Sequence, residues 1–333
     1  MSSAVIEVAD LVKVYPGGTR AVDGISFRIE PGELFGFLGP NGAGKTTTIR
    51  ILATLTSATS GHARLAGFDV ATHAADVRRR LGLAMQTPTL DTFATGRENI
   101  EFIGRMHRVP GAELKKRTDE LLQLMGLTEV AKKLAGAYSG GMKRRLDLAC
   151  ALVHGPQVLI LDEPTEGLDP QSRTALWEEL ERISRQGTTM LLTTHYMEEA
   201  DRLCNRIAII DNGRIVVDGT PADLKAGIGA DTVTLQLEAP GPEDLARQQT
   251  DVRRLLEGFV PLEGLTPESF GVSLAVRDAG RAIPDLLRRL DGNGVRVVGL
   301  SLGQPSLDDV FLKFTGRHIR TEAANEPISL GWY

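Results

Sequence analysis

Between residues 5 and 30 apolar and polar positions alternate, with Ile25, Phe27 and Ile29 set against Ser26, Arg28 and Glu30. That period of two predicts strands with one buried and one wet face, turned by Pro31-Gly32. Residues 34–38 (Leu-Phe-Gly-Phe-Leu) break the alternation, and a continuous apolar run closed by a Gly-rich turn predicts a strand buried on both faces. Residues 158–161 and 190–192 repeat that form, and polar residues follow each run. Three buried, parallel strands would thus present polar side chains at their carboxyl ends, where open α/β sheets bind ligands.

The stretch 72–152 carries apolar positions at helical spacing, among them Leu114, Leu121, Leu122 and Met125, and predicts an inserted helical subdomain over about 87–155. Residues 207–210 and 215–217 predict a strand pair turning on Asp211-Asn212-Gly213, and the first domain, 1–229, is expected to close over 221–229. A small α/β domain is expected over 230–316, in the order strand (233–237), helix, strand (272–276), helix (283–290), strand (295–300), helix (306–315). The last segment, 317–333, has no clear periodicity and is expected to be mobile.

Composition narrows the class. The 333 residues leave room for about two domains of ordinary size. Lys and Arg total 38 against 43 Asp and Glu, and the net charge of -5 argues against a general grip on nucleic acid. Cys150 and Cys204 are too few for a disulfide framework and are expected to be reduced packing residues, which favours the cytosol. No signal peptide is expected at the N-terminus, and no apolar run approaches the ~20 residues of a membrane-spanning helix.

Candidate chemistry follows the buried runs. Gly39-Pro40-Asn41-Gly42-Ala43-Gly44-Lys45-Thr46 fits the phosphate-binding pattern GxxxxGK[ST], between a buried strand and a helical run. Its glycines would let successive N–H groups face phosphate oxygens, Lys45 would bridge the terminal phosphates and Thr46 would hold Mg²⁺. The second buried run delivers Asp162 and Glu163; beside a phosphate loop, Asp162 would complete the Mg²⁺ shell and Glu163 would orient the attacking water. Ser139-Gly140-Gly141-Met142 opens a helix whose free N–H groups offer a second anion site.

At this point residues 5 to about 225 resemble the ATP-binding subunits of ABC transporters, whose LSGGQ signature stands here as Tyr138-Ser139-Gly140-Gly141-Met142. The resemblance implies a P-loop NTPase of the ABC ATPase type, with a RecA-like core, an antiparallel β subdomain and a helical insert, and ATP and Mg²⁺ as ligands. It implies that Tyr15 stacks on adenine and that Gly39, Pro40, Asn41, Gly42, Ala43, Gly44, Lys45, Thr46 and Thr47 bind phosphates. Thr46, Gln86 and Asp162 would hold Mg²⁺, Glu163 would be the catalytic glutamate, Asp169 would lie in the D-loop and His195 would touch the γ-phosphate. The family further implies a dimer, in which Ser139 to Met142 of one subunit close over ATP held by the other. Met142 replaces the usual signature Gln, and Glu166 adds a carboxylate before the D-loop.

Residues 304–316 resemble the C-terminal motif of daunorubicin-resistance exporter ATPases, as does the run from Lys143 to Ala149 after the signature. That resemblance implies a separate ABC-2 type membrane permease, a homodimer of ATPase subunits, and a cytoplasmic position peripheral on the inner face of the plasma membrane. The expected function is hydrolysis of ATP to energise export of a drug, antibiotic or lipid. A soluble ABC ATPase acting on ribosomes or DNA is the alternative, and one cassette without heptad arms argues against it. His195 and Glu199 stand four apart, but the histidines and cysteines form no cluster and no transition-metal site is expected. Arg78 to Arg80, Lys115 to Arg117 and Lys143 to Arg145 are expected to lie on solvated helix faces.

Overall fold

A computed structural model describes residues 4–315 apart from 230, 240, 258–264, 277–278 and 304. The expectation for 317–333, and the Gln304 and Gly316 ends of the C-terminal motif, lie outside the described residues. The chain divides into a unit built on Met1–Pro221 and a second, Ala222–Gly316.

The first unit begins with β1 (Ile6–Val14), β2 (Arg20–Ile29), β3 (Leu34–Leu38), α1 (Lys45–Leu52), β4 (Ser60–Leu65), β5 (Phe68–Asp69), α2 (Ala74–Arg80) and β6 (Leu81–Ala84). It continues through α3 (Gly96–Met106), α4 (Gly111–Leu124), α5 (Gly140–Leu152), β7 (Val158–Asp162), α6 (Pro170–Arg185), β8 (Thr189–Thr194), α7 (Met197–Leu203), β9 (Arg206–Asp211) and β10 (Arg214–Gly219). Two sheets result: an antiparallel one, β2-β1-β4-β5, and a six-stranded one, β10-β9-β3-β8-β7-β6. In the latter, β9 through β6 are parallel and β10 closes the edge as an antiparallel hairpin partner of β9.

The predicted runs sit at the centre, since every residue of β3, β7 and β8 is buried. Phe27 of the antiparallel sheet stacks on Phe35 of β3 at 5.6 Å between ring centroids, with Phe37 tilted against both, so the two sheets share one apolar seam. Two elements differ from the periodicity. The stretch expected to be helical from residue 72 contains β6, which pairs in parallel with β7. Four residues directly after a helix give too short a window to show a period, and Gly82 there admits α5, because a Cβ would come within 2.4 Å of the Ala151 carbonyl oxygen. β4 is likewise a short strand recruited by pairing with β1.

The helical insert is α3 to α5, with α3 opened by a capping box between Thr95 and Glu98. The run Lys143 to Arg145 departs from a solvated face, because Arg144 is only 4 % exposed. It falls at helical spacing with Gly141 and Leu148 on the buried face of α5.

The second unit begins inside α8 (Pro221–Ala226), at its second residue, and continues through β11 (Asp231–Leu237), α9 (Pro242–Leu255), β12 (Leu265–Glu268), β13 (Gly271–Val276), α10 (Ala279–Asp291), β14 (Val297–Gly303) and α11 (Leu307–Thr315). All its strand pairs are antiparallel, in the order β12-β13-β11-β14, and β12 is an element that the periodicity did not predict. Val233, Leu235, Val272 and Leu274 form one sheet face, buried with Val252, Leu286 and Leu290 of the helices.

Candidate active site

The site is built at the carboxyl ends of β3, β7 and β8. After β3 the chain curls through Gly42 and Gly44, whose φ values of 80° and 109° suit glycine, into α1. A Cβ on Gly44 would meet the Ala21 carbonyl oxygen at 2.4 Å, so the loop is held against the antiparallel sheet. Gly44 caps α1 without a side-chain acceptor, which leaves the first N–H groups of the helix available to an anion.

Lys45 is 4 % exposed, and its Nζ donates to the carbonyls of Gly39 at 2.6 Å and Pro40 at 3.1 Å. The same ammonium pairs with Glu163 Oε1 at 3.0 Å. The other carboxylate oxygen, Oε2, faces His195 Nδ1 at 3.1 Å, so Lys45, Glu163 and His195 form one continuous chain of contacts. Burial works to raise the Glu163 carboxyl, but the hydrogen bond from His195 and the Lys45 charge outweigh it and hold it at about 2. Glu163 adopts φ of 45°, a left-handed backbone that a non-glycine residue keeps only where its surroundings enforce it. Its N–H, donating to the Thr193 carbonyl and hydroxyl at 3.1 Å each, is part of that enforcement.

Asp162 lies fully buried beside it. Its Oδ1 accepts from Thr193 at 2.6 Å and from the Thr46 hydroxyl at 3.2 Å. Oδ2 has no hydrogen-bond partner among the described residues. A buried carboxylate oxygen without a donor, next to a hydroxyl and a phosphate loop, fits a hard divalent cation that takes one carboxylate and completes its shell from water and phosphate. Among the described residues no three His, Cys, Asp or Glu gather to hold a metal by themselves.

A cavity of about 410 Å³ opens over the loop, lined by Tyr15, Pro40, Asn41, Gly42, Gly44, Lys45, Thr46, Thr47, Gln86 and Glu163. Tyr15, between β1 and β2, stands at its rim with Lys13 Nζ 5.1 Å from its ring centroid. Gln86 follows β6 and donates from Nε2 to Glu166, so the extra carboxylate engages the glutamine. Ala43 and Gly39 are backbone parts of the loop outside the cavity wall.

Ser139, Gly140, Gly141 and Met142 line no part of this cavity, and neither does Asp169. Ser139 caps α5 by accepting from the Met142 N–H at 3.3 Å, and Asp169 caps α6 by accepting from Ser172 at 2.9 Å. The two helix starts lie side by side, since a Cβ on Gly141 would fall 2.6 Å from Ser172 Oγ.

Two residues of the site escape a reading of the sequence. Thr193 stands one position beyond the apolar run 190–192 and holds both Asp162 and Glu163. Arg144 donates to the carbonyls of Pro164 at 2.7 Å, Asp162 at 3.0 Å and Met85, so one buried guanidinium ties α5 to the segments before Gln86 and after β7. Its spacing with Gly141 and Leu148 was the available signal, masked by two basic neighbours.

Comparison with known proteins gives a consistent picture. The model of the family described as ABC transporter matches residues 22–166, and that described as ATP-binding protein DrrA1-3-like, C-terminal domain, matches 219–315. The chain is 42% identical to the daunorubicin resistance ATP-binding protein DrrA2 of Streptomyces coeruleorubidus, over 93% of this chain and 95% of that one. It is also 42% identical to the Nod factor export ATP-binding protein I of Paraburkholderia xenovorans, over 96% of this chain and 100% of the other. Among solved structures, it resembles a dimeric ATP-binding cassette in a post-hydrolysis state bound to ADP and Pi, with TM-score 0.59 and 25% identity over 65% of this chain and 98% of that one.

Proposed function

This chain belongs to the ATP-binding subunits of ABC transporters, and from that premise we propose that it drives export of a drug, antibiotic or lipid through a separate ABC-2 type membrane subunit. It is an ATP hydrolase. The observation that carries its mechanism is the contact chain Lys45–Glu163–His195 beside the partnerless oxygen of Asp162.

The phosphate loop and the α1 N-terminus bind the phosphates of ATP, and Tyr15 takes the adenine at the cavity rim. Lys45 exchanges the Glu163 carboxylate for β and γ phosphate oxygens, as both compete for one ammonium. Glu163, relieved of that charge, becomes a better base, orients the attacking water and takes its proton at the carboxylate. His195 holds Glu163 on one side and reaches the γ-phosphate on the other. Mg²⁺, held by the Thr46 hydroxyl, Asp162 Oδ2 and the Gln86 amide oxygen, would neutralise charge on the β and γ phosphates.

Ser139 to Met142 and Asp169, which lie outside the cavity of their own chain, serve ATP held by a second copy. The dimeric relative with ADP and Pi supports this arrangement. Export needs backbone that crosses a bilayer, and among the described residues no helix is long and apolar enough to do so. A permease supplies that part, and the ATPase docks on it at the cytoplasmic face. Relatives named for daunorubicin resistance and for Nod factor export share the same 42% identity, so the cargo is set by the permease rather than by this subunit.

The test is affinity purification of the tagged chain from detergent-solubilised membranes, with mass spectrometry of co-purifying proteins and an ATPase assay. Recovery of a polytopic ABC-2 type protein with raised ATPase activity is expected. Recovery solely from the soluble fraction with ribosomal or DNA-associated proteins would overturn the proposal.

A further inference from the structure

The carboxylate that Glu166 adds before the D-loop stands against Gln86, 80 residues earlier in the chain, and its Oε2 accepts from Gln86 Nε2. A carboxylate offers only acceptors, whereas an amide has a donor at one end and an acceptor at the other. The contact therefore decides which way the Gln86 amide lies, with nitrogen toward Glu166 and oxygen away from it. Gln86 lines the cavity over the phosphate loop and Glu166 does not, so the end of the amide left to serve that cavity is its oxygen. Two side chains at a wet surface usually hold each other weakly, because both give up rotamer freedom to meet. Here the backbone beneath each is already fixed. Arg144, buried in α5, donates to the Met85 carbonyl directly before Gln86, and from Nε to the Pro164 carbonyl, two residues before Glu166, at 2.7 Å. The Glu166 N–H closes a turn on the Glu163 carbonyl at 3.2 Å, which sets the residue one turn beyond the proposed catalytic glutamate.

We propose that Glu166 is a positioning residue, which fixes the Gln86 amide so that its oxygen, and not its nitrogen, is offered to the divalent cation that Thr46 and Asp162 would hold. A hard cation takes oxygen ligands, and an amide free to turn about its last bond presents the N–H end part of the time. Donation of the Gln86 N–H to a carboxylate also draws electron density onto the amide oxygen, as the outer partners of metal ligands do. The inference rests on the place given above to Gln86 among the groups for Mg²⁺.

The experiment measures the Kd of the full chain for a fluorescent, non-hydrolysable ATP analogue, once with Mg²⁺ and once with EDTA. The phosphate loop acts in both conditions, so the ratio of the two values reads the coupling between cation and nucleotide. Glu166→Ala, Glu166→Gln, Gln86→Ala and the Gln86→Ala/Glu166→Ala double variant are compared, with thermal unfolding of each. Glu166→Ala is expected to lower the ratio about fivefold or more, while its Kd in EDTA stays within about threefold of wild type. Glu166→Gln keeps an acceptor for the Gln86 nitrogen, and its ratio is expected within about twofold of wild type. The double variant should be no lower than Gln86→Ala alone, since Glu166 acts through that amide. A wild-type ratio in Glu166→Ala would overturn the inference, and so would an additive double variant. A Glu166→Gln ratio as low as that of Glu166→Ala would reduce the effect to charge alone and overturn it too. Should Glu166→Ala fail to fold, Glu166→Ser, whose side chain is too short to reach the amide, takes its place under the same criterion. A wild-type ratio in Gln86→Ala would instead refute the Mg²⁺ role of Gln86, and this inference with it.

Discussion

Replacing Glu163 by Gln separates binding from chemistry at one atom pair. The carboxylate accepts from Lys45 at 3.0 Å and His195 at 3.1 Å through different oxygens, whereas the amide keeps a single acceptor. One charge-assisted hydrogen bond, worth about 1.5–3 kcal/mol, is therefore lost, and the lost Coulomb attraction of Lys45 falls on the same side. Lys45, no longer contested by a carboxylate, is freer to bind phosphate, so ATP affinity is expected to hold or to rise by up to about tenfold. In the proposed mechanism turnover then lacks the group that orients and deprotonates water, and kcat is expected to fall about 10²–10⁴-fold, or roughly 3–5 kcal/mol in barrier. The assays are titration with a fluorescent ATP analogue and phosphate release at saturating ATP, with dimer content followed by gel filtration, where an ATP-bound dimer should accumulate. A kcat within about threefold of wild type would refute the role of Glu163, and a tenfold loss of ATP affinity would refute the competition for Lys45.

Other substitutions test other links. Lys45→Ala should weaken ATP binding roughly 10–100-fold by removing a charge-assisted phosphate contact, and unchanged affinity would sink the phosphate-loop assignment. Gly44→Ala places a Cβ 2.4 Å from the Ala21 carbonyl oxygen at φ of 109°, so nucleotide affinity and Tm should both drop, as read by the same titration and by calorimetry. Burial raises Asp147 from 3.8 to about 6, against the pull of Arg144. The folded state therefore binds the proton more tightly than the unfolded one, and this contribution to stability, complete below pH ~4, is lost as pH rises through about 6. Asp147→Asn removes that loss, so its Tm should exceed that of wild type increasingly from pH 4 to 7, and parallel Tm curves would contradict the burial argument.

What lies within one window of chain could be read from the sequence. The runs at β3, β7 and β8 are continuous because strands covered on both faces have no polar side to show, and the phosphate loop is legible because its glycines and lysine serve backbone geometry within eight contiguous positions. The family resemblance, carried by that loop, the signature and the C-terminal motif, agrees with the relatives matched over most of the chain. Tertiary structure alone decided where distant segments meet. Thr46 and Asp162 are 116 residues apart, and no periodicity announces that one hydroxyl will bond that carboxylate. β6 became a strand because β7 offered it an edge, against a helical neighbourhood. Arg144 lies in a basic run that suggests solvent, yet three backbone carbonyls from two other segments satisfy it in the interior. Glu199 sits beside an acidic neighbour and acquires the indole N–H of Trp177 as its partner only when α6 packs against α7. Local sequence encodes backbone conformation and burial pattern, whereas the partner of a buried polar group depends on long-range closure of the chain.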